Sequence, residues 1–303
     1  MSLTSAMYTG ISGLLANANA LNVEGNNLAN VNTVGFKEGR TLFSTMLSTS
    51  IGNNAQVENS QVGDGVKVQA VQNQFSAGAY QSSTIITDVA IEGSGFFALS
   101  VPGATSATAA TAYYTRAGSF SVNSTGGLVN PDGYGVLDTA GKAIQIPQTV
   151  AATAGPPATP ALTFQSVSGI DSNGNISLLY ADATGATSTL YYAGAGAAPA
   201  ATTATAVKIA EVTVPNAQGM SSQAGTLFTL TSASGTPTAP AAGVFTSANG
   251  TSEKFLSNEL EASNVDLGTE LVNLLTTQRA YSANSKTITT ADQMTQIVLE
   301  LVR

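Results

Sequence analysis

The two residue types with the widest chemical repertoire are missing: the 303 residues contain neither cysteine nor histidine. The first absence excludes disulfides and thiolate nucleophiles, the second excludes imidazole bases, and together they remove the usual zinc ligand sets. Any catalysis would rest on carboxylates, hydroxyls, lysine or tyrosine. Charge is scarce as well, at 9% of residues against roughly 25% in an ordinary soluble domain. Ten Lys and Arg stand against eighteen Asp and Glu, a net charge of −8. The cations form no stripe, which argues against a nucleic-acid partner and against anchoring on anionic lipid. No run approaches the ~20 apolar residues of a membrane span, so no membrane insertion is expected. The first residues lack the basic stretch, apolar core and small-residue cleavage site of a Sec signal peptide, so any export is expected by another route.

What the chain does contain is two similar ends around a different middle. Met7, Ile11, Leu14, Ala18, Leu21 and Leu28 recur at steps of four and three, with only Gly25 breaking the series. Leu267, Leu271, Leu274, Tyr281 and Ile288 keep the same rhythm and pass into Ala291, Met294, Val298 and Leu301. Such spacing makes an apolar seam along one face of a helix, the pattern by which helices pack as a coiled coil. Between these ends lie Gly-, Thr-, Ser- and Ala-rich residues with short apolar runs that read as strands. The expected class is α+β, with terminal helices pairing as a coiled-coil-like domain around a mostly antiparallel β body.

The expected boundaries are 1–36 and 255–303 for the helical domain, 37–64 for an extended connector and 65–254 for the β body. Residues 4–33 carry seven Asn and three Gly, poor helix formers, so packing against a partner must supply what propensity does not. Gly35 is placed to end this helix. The connector joins an apolar patch (Leu42, Phe43, Met46, Leu47) to a polar stretch around Gly52-Asn53-Asn54. Within the body, 148–161 and 193–206 read as linkers or surface loops, and 236–243 as a further Pro/Ala stretch. Ser263-Asn264-Val265-Asp266 fits a capping box for the last helix.

Candidate chemistry is sparse. Asp171-Ser172-Asn173-Gly174-Asn175 with Asp182 has the acidic twelfth position of a calcium loop but its glycine at the fourth position, so it reads as a β-turn. Asp88, Glu92, Asp132 and Asp138 sit among turn residues that do not obviously converge on an acid/base pair. The pairs Tyr113-Tyr114 and Tyr191-Tyr192 read as strand residues. Arg279, in a charge-poor helix, is either an interface contact or a solvent-facing residue. No dinucleotide, phosphate-loop or nucleophile-elbow motif occurs, so neither cofactor nor enzyme activity is expected.

Three segments carry a family resemblance. Residues Gly25 to Lys37 (GNNLANVNTVGFK) resemble the N-terminal signature of the bacterial flagellar rod and hook proteins, and Leu260 to Met294 closely resemble their shared C-terminal end. Asp88 to Phe97, followed by Tyr114 to Phe120, resemble the opening of their first β domain. The resemblance implies a structural subunit whose terminal helices form the inner tube of a hollow helical filament. It also implies export through the flagellar type III apparatus and a place in the flagellum outside the cytoplasm. The implied partners are further copies of the chain, rod proteins below, junction proteins above, the hook cap and the export apparatus. The candidate assembly contacts are the two seams together with Asn27, Asn30, Asn32, Phe36 and Arg279.

Thr9 to Leu14 and Gln74 to Gly78 look more like the hook protein, a torque-transmitting joint, than the distal rod protein. Yet residues 148–177 are too few for the outer domain hook proteins usually carry, if that domain must bury its own core. The rod reading therefore stands as the alternative. A secreted surface adhesin with β repeats and coiled-coil ends is the alternative from another class, but it would not need the Asn-rich signature and would be expected to carry a Sec signal.

Overall fold

The computed structural model describes residues 3–50, 61–152, 160–235, 245 and 253–301. Its architecture is α+β and divides into two compact units. One comprises Met1–Val31, Lys37–Gln74 and Val265–Arg303, the other Asn32–Phe36 and Phe75–Asn264.

The helical unit contains α1 (Leu3–Ala29), the strands β1 (Gly39–Thr45), β2 (Ser48–Ser50), β3 (Gln61–Gly63) and β4 (Val66–Asn73), and α2 (Leu267–Leu301). β1 pairs antiparallel with β4, with an irregularity between Leu42 and Phe43, and β2 pairs with β3. Two boundaries therefore differ from the sequence reading. The alternation of Val66, Val68 and Ala70 starts no β body. It supplies β1 with a partner, so the helical unit extends to Gln74. Residues 37–50 are an arm of sheet rather than a plain connector, while Gly52-Asn53-Asn54 lie outside the described residues.

α1 runs through Gly25 without a break and stops at Ala29. Beyond it the chain turns to Gly35, whose φ is +68° and whose missing Cβ would stand 2.4 Å from the Ala117 nitrogen. A side chain there would suffer both the strained φ and the clash. At the start of α2, Asp266 receives the Gly268 amide at 3.2 Å and the Thr269 hydroxyl at 2.6 Å, directly before the first helical residue, Leu267. These bonds hold the Asp266 carboxyl below its ordinary pKa, the Thr269 hydroxyl most of all. Asn264 is engaged elsewhere, donating to Ser76 Oγ at 2.9 Å.

The β unit is built on an eight-stranded sheet. Its strands are β7 (Phe96–Ser100), β8 (Tyr113–Thr115), β9 (Ser121–Val122), β10 (Leu128–Val129), β11 (Gly135–Val136), β16 (Glu211–Val212), β17 (Ser221–Ser222) and β18 (Leu227–Thr229). They run in the order β17-β18-β8-β7-β11-β10-β9, with β16 added along β7. Two further pairs bring the returning chain home. β5 (Tyr80–Ser82) pairs with β20 (Glu259–Glu261), and β6 (Val89–Glu92) with β19 (Lys254–Ser257).

A four-stranded antiparallel sheet, β12 (Thr149–Val150), β13 (Leu162–Ile170), β14 (Ile176–Asp182) and β15 (Thr187–Tyr191), has its first strand inside the expected linker 148–161 and the other three beyond it. It has no core of its own. Its Ile176, Leu178 and Tyr180 share one buried cluster with Val89, Phe97 and Phe120. Residues 153–159 and 236–244 lie outside the described residues. The 193–206 loop is tied back to β15 by reciprocal backbone bonds of 2.7 Å between Tyr191 and Ala200.

Candidate assembly interface

α1 and α2 pack together through a seam that an apolar template does not see. On α2 the inward positions are Glu270, Leu274, Thr277, Tyr281, Asn284, Ile288, Ala291 and Thr295, spaced four and three throughout and buried or half-buried. On α1 the facing stripe is small or polar: Gly10, Gly13, Ala16, Ala20, Glu24 and Asn27. A Cβ on Gly10 would lie 3.0 Å from Ile288, and one on Gly13 2.7 Å from the Asn284 amide. The backbones approach this closely only because side chains are missing. Further along, Thr277 donates to Glu24 at 2.8 Å. Asn27, 1% exposed, donates to the Glu270 carboxylate and to the Gly39 carbonyl, while its own carbonyl receives the Gly39 amide at 2.9 Å. The Glu24 carboxyl is pushed above its ordinary pKa, first by burial and also by Glu270. This polar end sets the register, since a slip would strand buried donors and acceptors.

The sequence-derived seam is therefore distributed over two surfaces. Leu274, Tyr281, Ile288 and Ala291 do lie in the helix pair, and Met7, Leu14, Leu21 and Leu28 are half-buried. Ile11, Leu267, Leu271, Met294, Val298 and Leu301 face solvent in the single chain, Leu301 at 80% exposure. They are joined by Tyr8 at 72%, Leu15, Val272, Leu275 and Ile297. Among the described residues, most of the large apolar side chains exposed in the single chain belong to this unit. Of the motif residues, Asn27 is internal, Asn30 caps the helix end by donating to the Asn26 carbonyl at 2.9 Å, Asn32 is exposed and Phe36 half-buried. Arg279 is exposed.

The segments carrying the family resemblance meet in the β unit. Arg116 is 2% exposed. It donates to the Gly93 carbonyl at 2.7 Å, pairs with Glu261 at 3.4 Å and lies 5.1 Å from the centre of the Phe96 ring. Glu261 in turn receives the Gly78 amide at 2.9 Å, and its backbone carbonyl receives the Gly35 amide at 2.8 Å. Three stretches remote in sequence thus close one buried junction, which composition and periodicity did not single out. A second carboxyl network lies nearby: Glu253 accepts from Ser94 Oγ at 2.9 Å and from the Ser94 and Gly95 amides, both at 3.2 Å. Burial, and then the hydrogen bond to Glu253, push Glu211 up to about 8.

Three of the carboxylates weighed as an acid/base set, Asp88, Glu92 and Asp138, serve as local braces. Asp88 receives the Ser83 hydroxyl at 2.5 Å, Glu92 pairs with Lys254 at 2.9 Å, and Asp138 receives the Ala140 and Lys142 amides. The calcium-like loop is an Asx turn in which Asp171 receives the Asn173 and Asn175 amides at 2.9 Å. Tyr114 and Tyr192 are buried. Among the described residues no helix is long and apolar enough to cross a membrane.

Comparison with known proteins agrees with this layout. Residues 7–37 match the family described as flagella basal body rod protein. Residues 90–178 match the flagellar hook protein FlgE/F/G D1 domain, and 256–301 the flagellar basal body rod FlgEFG protein C-terminal family. The flagellar basal-body rod protein FlgG of Bacillus subtilis is 33% identical over 305 residues, covering 98% of this chain and 99% of that protein. That of Caulobacter vibrioides is 32% identical, covering 98% of each. The flagellar hook protein FlgE of Borreliella burgdorferi is 38% identical over 133 residues, which are 42% of this chain and 28% of the hook protein. With relatives matching from end to end and the resembling segments gathered into one fold, the chain belongs to the flagellar rod and hook family of axial structural proteins.

Proposed function

We propose that this chain is a rod subunit of the flagellar basal body, of the distal-rod kind, which self-assembles helically through its terminal helices. The observation that carries the rod reading over the hook reading is coverage: rod proteins correspond to this chain along nearly their whole length, whereas the hook protein of Borreliella burgdorferi corresponds over 28% of its own. The β12–β15 sheet supports the same reading, because it adds to an existing core instead of forming an outer domain. The exposed apolar residues of α1 and α2 support self-assembly, with neighbouring copies covering what one chain leaves open. On this reading the subunit reaches its place by type III export, and its partners are its own copies with the axial proteins before and after it.

Filaments grown from purified subunit and imaged by electron microscopy are expected to be thin and straight or weakly curved. Immunogold labelling of isolated basal bodies is expected to mark the rod. Label confined to the curved hook would return the chain to the hook reading.

A further inference from the structure

Between α1 and the β1–β4 sheet lies an open groove of about 470 Å³. Tyr8, Ile11 and Leu15 line one wall, Met46 and Val66 the other, and Lys67 stands exposed at the rim. The rim also carries Asp64, which already has an interaction of its own.

The same unit carries a shape that fits this groove. Gly10 lies against Ile288, Gly13 against Asn284, and Asn27 bonds Glu270, so the helices run antiparallel. At that register α2 beyond about residue 295 reaches past Leu3, where α1 begins. Met294, Ile297, Val298 and Leu301 project there at i, i+3, i+4 and i+7, exposed by 51, 56, 56 and 80%. That is the spacing with which a helix face enters an apolar groove. After Lys286 the described part of α2 carries Asp292 and Glu300 and no cation, complementary to Lys67.

The chain cannot fill its own groove with this end. Leu15 is level with α2 near Asn284, so Ile297 of the same chain is about 20 Å away at 1.5 Å per residue. We propose that residues 294–301 of one copy dock in the α1/β1–β4 groove of a neighbouring copy, with Glu300 facing Lys67. This deepens the self-assembly reading above and rests on it. A donor end and an acceptor groove on different faces make a head-to-tail contact, which propagates into an open polymer.

The cysteine-free chain makes the test clean. In the double variant Leu15→Cys with Ile297→Cys, oxidised filaments are expected to give a ladder of disulfide-linked multimers on a non-reducing denaturing gel. A bond requires Cα atoms within about 7 Å, which only the proposed contact provides. The two single variants, co-polymerised, are expected to give the linked dimer even where the double variant assembles poorly. Lys67→Glu is expected to raise the critical concentration roughly threefold or more, and adding Glu300→Lys to restore it. Filaments that form without linked species overturn the docking and leave self-assembly standing. A wild-type chain that never polymerises overturns both. Failure of the charge swap to restore assembly removes the Glu300–Lys67 pairing.

Discussion

The two units bury opposite kinds of residue. In the β unit Tyr114, Tyr180, Phe97, Leu99 and Ile91 are all fully buried, and among the described residues only Ile85, Ile86 and Val101 are large apolar side chains left exposed. In the helical unit the buried positions are mostly small or polar, among them Gly10, Gly13, Ala16, Ala20, Asn27, Glu270 and Ala291, while Tyr8, Leu15, Leu271 and Leu301 are exposed. The first pattern is that of a self-sufficient domain. The second is that of a unit whose large apolar side chains are left open in the single chain, as the proposed self-assembly requires.

The comparison breaks most visibly if an exposed leucine of the helices is charged. Leu271→Asp places a carboxylate on the surface that neighbours would cover, where burial costs several kcal/mol in every copy. We expect polymerisation, followed by sedimentation, to be abolished, with the melting temperature of the β unit unchanged. Normal filaments from this variant would show that the face is not shared between copies.

The converse substitution strikes the self-sufficient unit. Phe97 is fully buried, edge-on to Phe120 and stacked on Phe255 at 5.7 Å. Phe97→Ala is expected to cost about 3–5 kcal/mol, lowering the main thermal transition by about 10 °C or more. The circular-dichroism signal of the terminal helices should be largely spared if the units are energetically separate.

A smaller effect separates the register from the seam. Asn27→Ala removes a donor from Glu270 and two bonds from Gly39, and is expected to cost about 1–3 kcal/mol in the helical unit. Loss of helicity without a shift of the β-unit transition is the signature; a change confined to the β unit would refute the assignment.

The last effect is one of pH. Burial and the contact with Glu253 raise the Glu211 carboxyl to about 8, so the folded chain keeps a proton that the unfolded chain releases near its ordinary value of 4.5. Its contribution is complete below the unfolded value and is lost as pH rises through the folded one. The β unit should therefore melt at lower temperature at pH 8 than at pH 5, and Glu211→Gln should flatten that slope. An unchanged slope would mean Glu211 is ionised throughout.

Much of the layout was legible in the sequence because large apolar residues report themselves by periodicity. The terminal helices and the row Leu274, Tyr281, Ile288 were readable in this way. The facing half of the seam was not, because Gly10, Gly13, Glu270, Thr277 and Asn284 are small or polar and score as interruptions. Glycine and alanine at steps of three and four in α1, or Glu, Thr and Asn at intervals of seven in α2, are the signals that would have found them. The β1–β4 pairing was missed for another reason: alternation announces a strand but not its partner. Arg116 and Glu261 were invisible because a buried ion pair between residues 145 apart in sequence leaves no local trace.

The exposed leucines of α2 also carry a thermal consequence. Removing apolar surface from water is what gives folding its large heat-capacity change. Here that surface is hidden when the β unit folds, yet in the helical unit it is still open once the two helices have paired. On the self-assembly reading, the heat-capacity change of these exposed side chains would belong to association, and only that of the paired seam to folding. Because this driving force weakens on cooling, chilled filaments should shed subunits while each released β unit stays intact, and warming should rebuild them.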